Sequence, residues 1–249
     1  MTAGGAAATE VADDVFAVQG RDVNWVLLRE GRDLTLLDAG YPGDLEHVEA
    51  SIRAIGHRPQ DVRAILVTHA HVDHLGAVNS FHRDYGTPVL LDPVEVPHAR
   101  REYLEQAGTA ELLTNLWRPG MLGWTGRILR GGALADVAAP QARAFATAAA
   151  LDLPGRPVPV PTHAHTRGHC AFHLPAVGVL LTGDELVTGH ALSRRGGPQL
   201  LPAMFAHAPA GRVDAALDAL AAVPAETLVC GHGPVHRGPV AEAVARVRG

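Results

Sequence analysis

The sequence reads Thr68-His69-Ala70-His71-Val72-Asp73-His74 directly after a short apolar run, Ala64 to Val67. Such a run is typical of a strand that is buried on both faces. The imidazole and carboxylate groups that follow it are donor types that zinc and similar metals bind. A loop at the end of a strand is held by the scaffold, so these donors can converge with little loss of entropy. The stretch therefore predicts a metal site at the end of a buried strand.

Four shorter motifs accompany this histidine cluster along the chain. They are Asp38-Ala39-Gly40, Thr166-Arg167-Gly168-His169, Leu181-Thr182-Gly183-Asp184 and Gly231-His232-Gly233-Pro234. Each alone is a weak signal, because a glycine beside a polar residue is common in turns. In this order, together with the cluster, they resemble the motifs of metallo-β-lactamase-fold hydrolases over about Val15 to Val247. Arg167 stands where the family often has Pro, and Cys170 where Ser or Thr is common, but neither departure removes a ligand.

The resemblance implies seven ligands for two metal ions. His69, His71 and His169 are expected to bind the first ion, Asp73, His74 and His232 the second, and Asp184 to bridge both. Asp38 is expected to support the site without binding metal. The ions implied are two zinc ions, with iron or manganese as alternatives. The expected nucleophile is a metal-bridging hydroxide, and Asp73 is the expected catalytic residue, since it can orient that hydroxide or accept its proton.

The apolar pattern along the chain predicts an α/β fold. Strands are expected at Val15–Val18, Val23–Arg29, Leu34–Leu37, Ala64–Val67, Val89–Leu91, Val158–Val160, Ala171–Leu174, Gly178–Leu181 and Thr227–Val229, and helices at Leu45–Ile55, Leu75–Tyr85, Val213–Ala222 and Pro239–Val247. Two halves, each with strands followed by helices, predict a four-layer αββα sandwich: two mixed β-sheets with helices outside. Residues 1–249 are expected to form a single domain. Met1 to Glu10 is expected to be a frayed tail and not a signal peptide.

Asp92 to Ala150 differs in character, with several aromatic residues between Gly/Pro breaks. It is expected to be a mostly helical insertion, acting either as a lid over the site or as part of the core. Trp117 and Trp124 within it, Trp25 in the first hairpin and His190 after Asp184 are the expected substrate contacts. Two further histidines, His163 and His165, either line the mouth of the pocket or lie in a solvated turn, and we favour the turn.

The composition limits the function classes. All 21 basic residues of this 249-residue chain are Arg, so Schiff-base catalysis and a Walker-type phosphate loop, which need Lys, are excluded. The net charge is −5 and no basic stripe stands out, so we expect no nucleic-acid partner. The apolar runs are too short for a membrane span, and no membrane partner is expected. Two cysteines cannot form a disulfide framework, and a reduced, cytoplasmic location is expected.

The leading hypothesis is hydrolysis of a small thioester or lactone, with a hydrophobic acyl group. One alternative is a sulfur dioxygenase with a single iron, against which the intact His74 and His232 argue. Others are a β-lactamase, a phosphodiesterase or nuclease of the same fold, and a non-catalytic binding module. The sequence makes no prediction of the oligomeric state.

Overall fold

The computed structural model describes residues 8–146, 149–193, 195–205 and 210–249. Seven strands form the first sheet, in chain order: β1 Ala8–Ala12, β2 Val15–Gln19, β3 Asn24–Glu30, β4 Asp33–Leu37, β5 Val62–Leu66, β6 Val89–Leu91 and β7 Arg143–Ala144. The pairs from β1 to β4 are antiparallel. The pairs from β4 to β7 are parallel, so the carboxyl ends of these strands meet at one edge.

The second sheet has five strands. They are β8 Val158–Pro161, β9 Cys170–Leu174, β10 Val179–Gly183, β11 Thr227–Cys230 and β12 His236–Arg237, arranged in the order β12-β11-β10-β9-β8. The pair β10 and β11 is parallel, and the other pairs are antiparallel. Both sheets are therefore mixed, as expected.

Eight α-helices complete the described part of the chain. They are α1 Leu45–Ala54, α2 Val72–Leu75, α3 Val78–Tyr85, α4 Val96–Ala99, α5 Thr109–Thr114, α6 Met121–Arg130, α7 Ala210–Ala221 and α8 Val240–Arg248. Among the described residues, no helix has the length and apolar character that crossing a membrane requires.

Three hydrophobic clusters hold the layers together. Side chains alternate between the two faces of a strand, so Ile65 of β5 joins the cluster under the helices of the first sheet, whereas Leu66 joins the cluster between the sheets. Phe172 of β9 enters the cluster between the sheets from the other side. Leu180 of β10 packs against α7 and α8 in the third cluster. The predicted sandwich of two sheets with helices outside is confirmed.

The structure differs from the sequence-based expectations in three elements. β1 begins at Ala8, inside the expected frayed tail, because its backbone pairs with β2. The expected helix Leu75–Tyr85 is divided, because the backbone N–H groups of Gly76 and Ala77 donate to the carbonyls of Gly40 and Ala39 and not to carbonyls of the helix. The segment 92–150 is less helical than expected: α4, α5 and α6 alternate with turns, and it contains the edge strand β7.

Candidate metal centre

Four segments from both sheets meet at one end of the sandwich. Residues 69–74 follow β5, His165 lies in the loop between β8 and β9, Asp184 follows β10, and His232 follows β11. Because β10 and β11 are parallel, their carboxyl ends deliver Asp184 and His232 to the same edge. The sheet packing brings this edge to the loop after β5.

One group of ligand-type side chains consists of His69, His71, His165 and Asp184, and its four candidate ligand atoms lie within 4.8 Å of one another. His71 Nδ1 lies 2.9 Å from His69 Nε2 and 3.2 Å from His165 Nε2. Asp184 Oδ2 lies 3.9 Å from His69 Nε2 and 3.8 Å from His165 Nε2. The group therefore offers three imidazole nitrogens and one carboxylate oxygen to a single space, and these are the donor types found in zinc sites.

A second group consists of Asp73, His74 and His232, whose ligand atoms also lie within 4.8 Å of one another. Asp73 Oδ2 lies 3.8 Å from His74 Nε2 and 3.5 Å from His232 Nε2. Asp184 reaches this group too, because its Oδ1 lies 3.4 Å from His74 Nε2 and its Oδ2 lies 3.0 Å from His232 Nε2. The Asp184 carboxylate thus stands between the two groups, as expected of a bridging ligand.

Two features show that these residues fit a bound cation. His74 Nε2 and Asp184 Oδ1 are buried without a hydrogen-bond partner, although such atoms normally find one. The space beside them is kept open by Gly231, since a Cβ there would lie 2.2 Å from Asp184 Oδ1. A metal ion would satisfy both buried atoms.

The electrostatic environment differs between the two groups. Burial and the neighbouring His74, His71 and His165 lower the pKa of His69 well below its usual value. Burial also acts to lower the pKa of His74, but the carboxylates of Asp38, Asp184 and Asp73 outweigh it and raise that pKa well above its usual value. The carboxylates therefore favour positive charge in the second group.

The structure places His165 in the first group, and not the expected ligand His169. His169 belongs to neither group; its Nδ1 lies 2.7 Å from Thr162 Oγ1, and its Nε2 accepts a hydrogen bond of 3.2 Å from the Asp184 backbone N–H. His165, expected in a solvated turn, is buried at the tip of the loop. The turn at 166–168 carries the chain from the cavity into β9, so His165 faces the ligands while His169 lies behind Asp184. His163 is partly exposed, with its Nε2 3.3 Å from Asp92 Oδ2.

Asp38 supports the centre from behind. Its Oδ2 lies 2.8 Å from His74 Nδ1, and its Oδ1 accepts a 2.8 Å hydrogen bond from the Thr68 backbone N–H. Asp38 takes a left-handed conformation, with φ of 60°, at the end of β4. The contact on Nδ1 leaves His74 Nε2 directed at the ligand space, which is how carboxylates orient metal-binding histidines.

Glu95, which no sequence motif indicated, connects the two loops that carry the candidate ligands. It is fully buried, and its Oε1 accepts a 2.8 Å hydrogen bond from the Ala70 N–H and lies 2.7 Å from His98 Nδ1. Its Oε2 accepts hydrogen bonds of 2.9 Å from Thr166 Oγ1 and 3.0 Å from the Gly168 N–H. One carboxylate thereby joins the ligand loop of the first sheet to that of the second. No motif surrounds Glu95 that could have revealed this role.

A cavity of about 540 Å³ opens above the two groups. His71, Asp73, His165, Asp184 and His232 form its metal-binding side, and its walls are largely apolar, with Leu104, Leu112, Trp124, Ile128 and Leu134 among the lining residues. Such a shape, apolar with a few polar groups at one end, is typical of a small-molecule site.

His190 lies between the metal centre and this apolar wall. Its ring centroid is 5.2 Å from that of His232, 5.6 Å from Trp124 and 5.3 Å from Phe205. Burial lowers the pKa of His190 to about 3, so the imidazole is neutral. Its Nδ1 accepts a hydrogen bond of 3.2 Å from the Leu192 N–H, which puts the imidazole proton on Nε2.

The four expected substrate contacts fall into two classes. Trp124 and His190 line the cavity. Trp25 does not: it is 1% exposed in the core under α1, where its Nε1 donates a hydrogen bond to Ser51 Oγ. The expectation fails for Trp25 because its position in β3 turns it toward the helices. Trp117 is 78% exposed and lines a separate surface depression, since the turn before α6 directs it outward.

Comparisons with known proteins identify relatives of this chain. A family model described as the metallo-beta-lactamase superfamily matches residues 18–232. Hydroxyacylglutathione hydrolases from Fuscovulum blasticum and Alkalilimnicola ehrlichii are 31% and 30% identical over 74% and 88% of this chain. The chain spans only 52% and 65% of their lengths.

Solved structures show the same architecture. A metallo-beta-lactamase family protein from Thermus thermophilus superposes with a TM-score of 0.61 at 25% sequence identity. The match covers 90% of this chain and 72% of that protein. The similarity therefore extends over both sheets.

Proposed function

Because this chain belongs to the metallo-beta-lactamase superfamily, we propose that it is a dinuclear zinc hydrolase of a small hydrophobic acyl compound, a thioester or lactone. One observation carries the proposal: seven ligand-type side chains converge in two groups beside an apolar cavity. The relatives named hydroxyacylglutathione hydrolase support acyl hydrolysis.

Each of the two groups of side chains would hold one metal ion. His69, His71 and His165 would hold the first ion, Asp73, His74 and His232 would hold the second, and Asp184 lies where it would contact both. If bound there, two zinc ions would supply a water activated near neutral pH and a positive charge that polarises the substrate carbonyl. Asp73 also lines the cavity, so its carboxylate faces the space that water and substrate would enter. We assign Asp73 the role of taking the proton of the attacking water.

The cavity walls support a hydrophobic acyl group. Arg101 is the one guanidinium among the described residues that line the cavity, and its Nη1 already donates to the carbonyls of Ala70 and His98. The carboxylates of a glutathione thioester would find few cationic partners there. Trp124 and Ile128 instead offer apolar surface. His190 can donate a hydrogen bond from Nε2 to an oxygen of the substrate.

The test is a metal count followed by a hydrolysis panel on zinc-loaded protein. We expect two zinc ions per chain, and higher kcat/KM for aryl or medium-chain thioesters and lactones than for a glutathione thioester, a phosphodiester or a cephalosporin. Asp184→Ala should lower turnover by about 100-fold or more, since direct ligands matter at least as much as the groups behind them. Asp136→Ala is the matched control, because Asp136 lines the cavity outside both ligand groups.

Two results would overturn the proposal. A single ion per chain after zinc reconstitution would remove the dinuclear mechanism, and a single iron would favour the dioxygenase. A cephalosporin preferred over every ester would reject the substrate class. A cytoplasmic location and a small-molecule partner without nucleic acid remain part of the proposal.

A further inference from the structure

The segment from Leu112 to Ala135, which contains part of α5 and all of α6, presents apolar side chains to solvent. Five of the eight large apolar side chains that are exposed in the described part of the chain lie in it: Leu113, Trp117, Leu122, Leu129 and Leu134. Trp117 is 78% exposed, and Leu122 and Leu134 are each 70% exposed. We name these five side chains, with Arg118 and Arg130, the α5–α6 surface.

The fold does not require these side chains to be apolar. α6 already buries Met121, Trp124 and Ile128 on its inner face. Leu122 and Leu129 are seven residues apart, so they share the outer face. Exposed apolar patches rimmed by polar residues are typical of protein or membrane interaction sites.

The charge of the segment contrasts with that of the chain. Residues 112–135 contain three Arg and no Asp or Glu, with the exposed Glu111 and Asp136 flanking them at the two ends, whereas the whole chain carries a net charge of −5. Arg127 is neutralised by an ion pair of 2.7 Å with Asp22. Arg118 lies 5.9 Å from the centre of the Trp117 ring, and Arg130 is exposed beside Leu129. The surface therefore combines a Trp and leucines with two outward-facing cations.

We propose that the α5–α6 surface docks on an anionic lipid surface. Helices that lie in the membrane interface typically combine Trp and Leu on one face with Arg or Lys on the other. A second copy of the chain fits less well, because a twofold contact builds the interface from the same patch of each copy and would collect four Arg side chains with no carboxylate from the α5–α6 surface. Anionic headgroups complement these cations. The sequence analysis expected no membrane partner, whereas the proposal is that the chain binds a membrane peripherally.

The position of the surface relates docking to the cavity. Leu134 belongs to the α5–α6 surface and also lines the cavity, and the exposed Leu104 lies at the same mouth. Trp124 and Ile128, on the inner face of the same helix, continue the apolar lining inward. Docking would therefore place the cavity mouth at the lipid. That the cavity then receives an amphiphilic acyl substrate rests on the proposed function, whereas docking itself does not.

Binding to vesicles tests the proposal without any activity measurement. The full chain is mixed with vesicles of phosphatidylcholine alone, or with added phosphatidylglycerol, and followed by co-sedimentation and tryptophan fluorescence. Trp25 and Trp124 are buried, so a blue shift of the emission reports on Trp117. We expect co-sedimentation and a blue shift with the anionic vesicles, both weakened by salt. No binding to anionic vesicles would overturn the proposal.

Paired variants locate the contact. Trp117→Ser with Leu122→Ser, and separately Arg118→Glu with Arg130→Glu, should each weaken vesicle binding by about tenfold or more. The matched control, Arg212→Glu with Arg246→Glu, makes the same change of charge on the exposed faces of α7 and α8 and should bind like the parent chain. Circular dichroism checks that each variant folds. Equal weakening of vesicle binding by the control and by Arg118→Glu with Arg130→Glu would overturn the proposal. So would a dimer of the parent chain that dissociates when Trp117 and Leu122 are replaced by Ser. A parent chain that binds polyglutamate more tightly than anionic vesicles would also overturn it.

Discussion

Most imidazoles of the metal centre have a neighbour on the ring nitrogen that faces away from the ligand space. His69 Nδ1 lies 3.0 Å from Thr68 Oγ1, and His232 Nδ1 lies 2.6 Å from the Asp22 carbonyl oxygen. His71 Nε2 lies 2.5 Å from the Glu105 carbonyl oxygen. A hydrogen bond on the outer nitrogen selects the tautomer in which the inner nitrogen carries a lone pair. The chain therefore prepares these rings as ligands.

The first prediction separates His165 from His169. His165→Ala removes a ligand atom and should weaken binding of one zinc ion by at least about 10- to 100-fold, the range found for the groups behind metal ligands. His169→Ala removes only the contacts to Thr162 and to the Asp184 N–H, so both ions should still bind. Zinc titration with elemental analysis measures both variants. Two tightly bound ions in His165→Ala and one in His169→Ala would restore the assignment made from the Gly-His motif.

The second prediction concerns Glu95. In Glu95→Gln an amide N–H₂ replaces one oxygen and faces hydrogen-bond donors, so at least one buried donor loses its partner. We expect zinc affinity to fall by about 10- to 100-fold, and stability to fall by about 1–3 kcal/mol. Zinc titration and urea denaturation measure the two effects. Glu102→Gln is the control, because it makes the same change at an exposed position just after α4. Unchanged zinc affinity in Glu95→Gln would show that Glu95 does not position the ligand loops.

The structure brings together the candidate ligands that the sequence indicated wherever these are contiguous or follow a strand. Residues 69–74 form one loop, and Asp184 and His232 each follow a buried strand, so their direction follows from the sheet. Between β8 and β9, however, His165 and His169 compete, and only the path of the turn decides which faces the cavity. Glu95 could not be predicted because its four partners come together only in the folded chain.

At the scale of elements, α6 has three environments around one helix. Met121 packs into the core, Trp124 and Ile128 face the cavity, and Leu122 and Leu129 face solvent. The question of lid or core, which the sequence left open for residues 92–150, therefore has no single answer for this helix. Spacing alone predicts an amphipathic helix, but it does not show which part of the apolar face meets a cavity.

The third prediction tests the two tryptophans of this segment and rests on the proposed function. Trp124→Leu enlarges the cavity and removes the ring beside His190, so KM for an aryl thioester should rise about tenfold with a smaller change in kcat. Trp117→Leu, at the exposed position, should leave both constants for a water-soluble ester within about twofold. Steady-state kinetics on the zinc-loaded variants measure both constants. A larger effect from Trp117→Leu than from Trp124→Leu would contradict the cavity described above.

Edge elements were the hardest to predict from sequence. β7 has two residues, Arg143 and Ala144, both exposed, and exists because β6 offers a free edge. β1 pairs with β2 in the same way. Central strands such as β5 and β10 carry continuous apolar runs because both of their faces are covered. Edge strands lack that signal, since pairing with a neighbour and not burial defines them.

At the scale of the whole molecule, the metal centre joins the two sheets. Four ligand residues follow β5 in the first sheet, while His165, Asp184 and His232 belong to loops of the second. Direct protein contacts also cross this edge: Asn24 Nδ2 donates to the carbonyls of Cys230 and Gly233, and Glu95 connects the two loops. Bound ions would add bonds that only the assembled sandwich can offer, so they should stabilise both sheets together.

The last prediction follows from this placement. At a free zinc concentration about 100 times the dissociation constant, binding to the folded state alone adds about 2.7 kcal/mol. For a chain of this size that raises Tm by about 5–10 °C relative to chelator-treated protein. Calorimetry should show one transition that moves as a unit, and Mg²⁺, which prefers oxygen ligands, should move it little. His74→Ala with His165→Ala, which takes one ligand from each sheet, should lose most of the zinc-dependent shift. A full shift in that double variant would mean that zinc stabilises the chain at another site, whereas two separate transitions would mean that the ions do not couple the sheets.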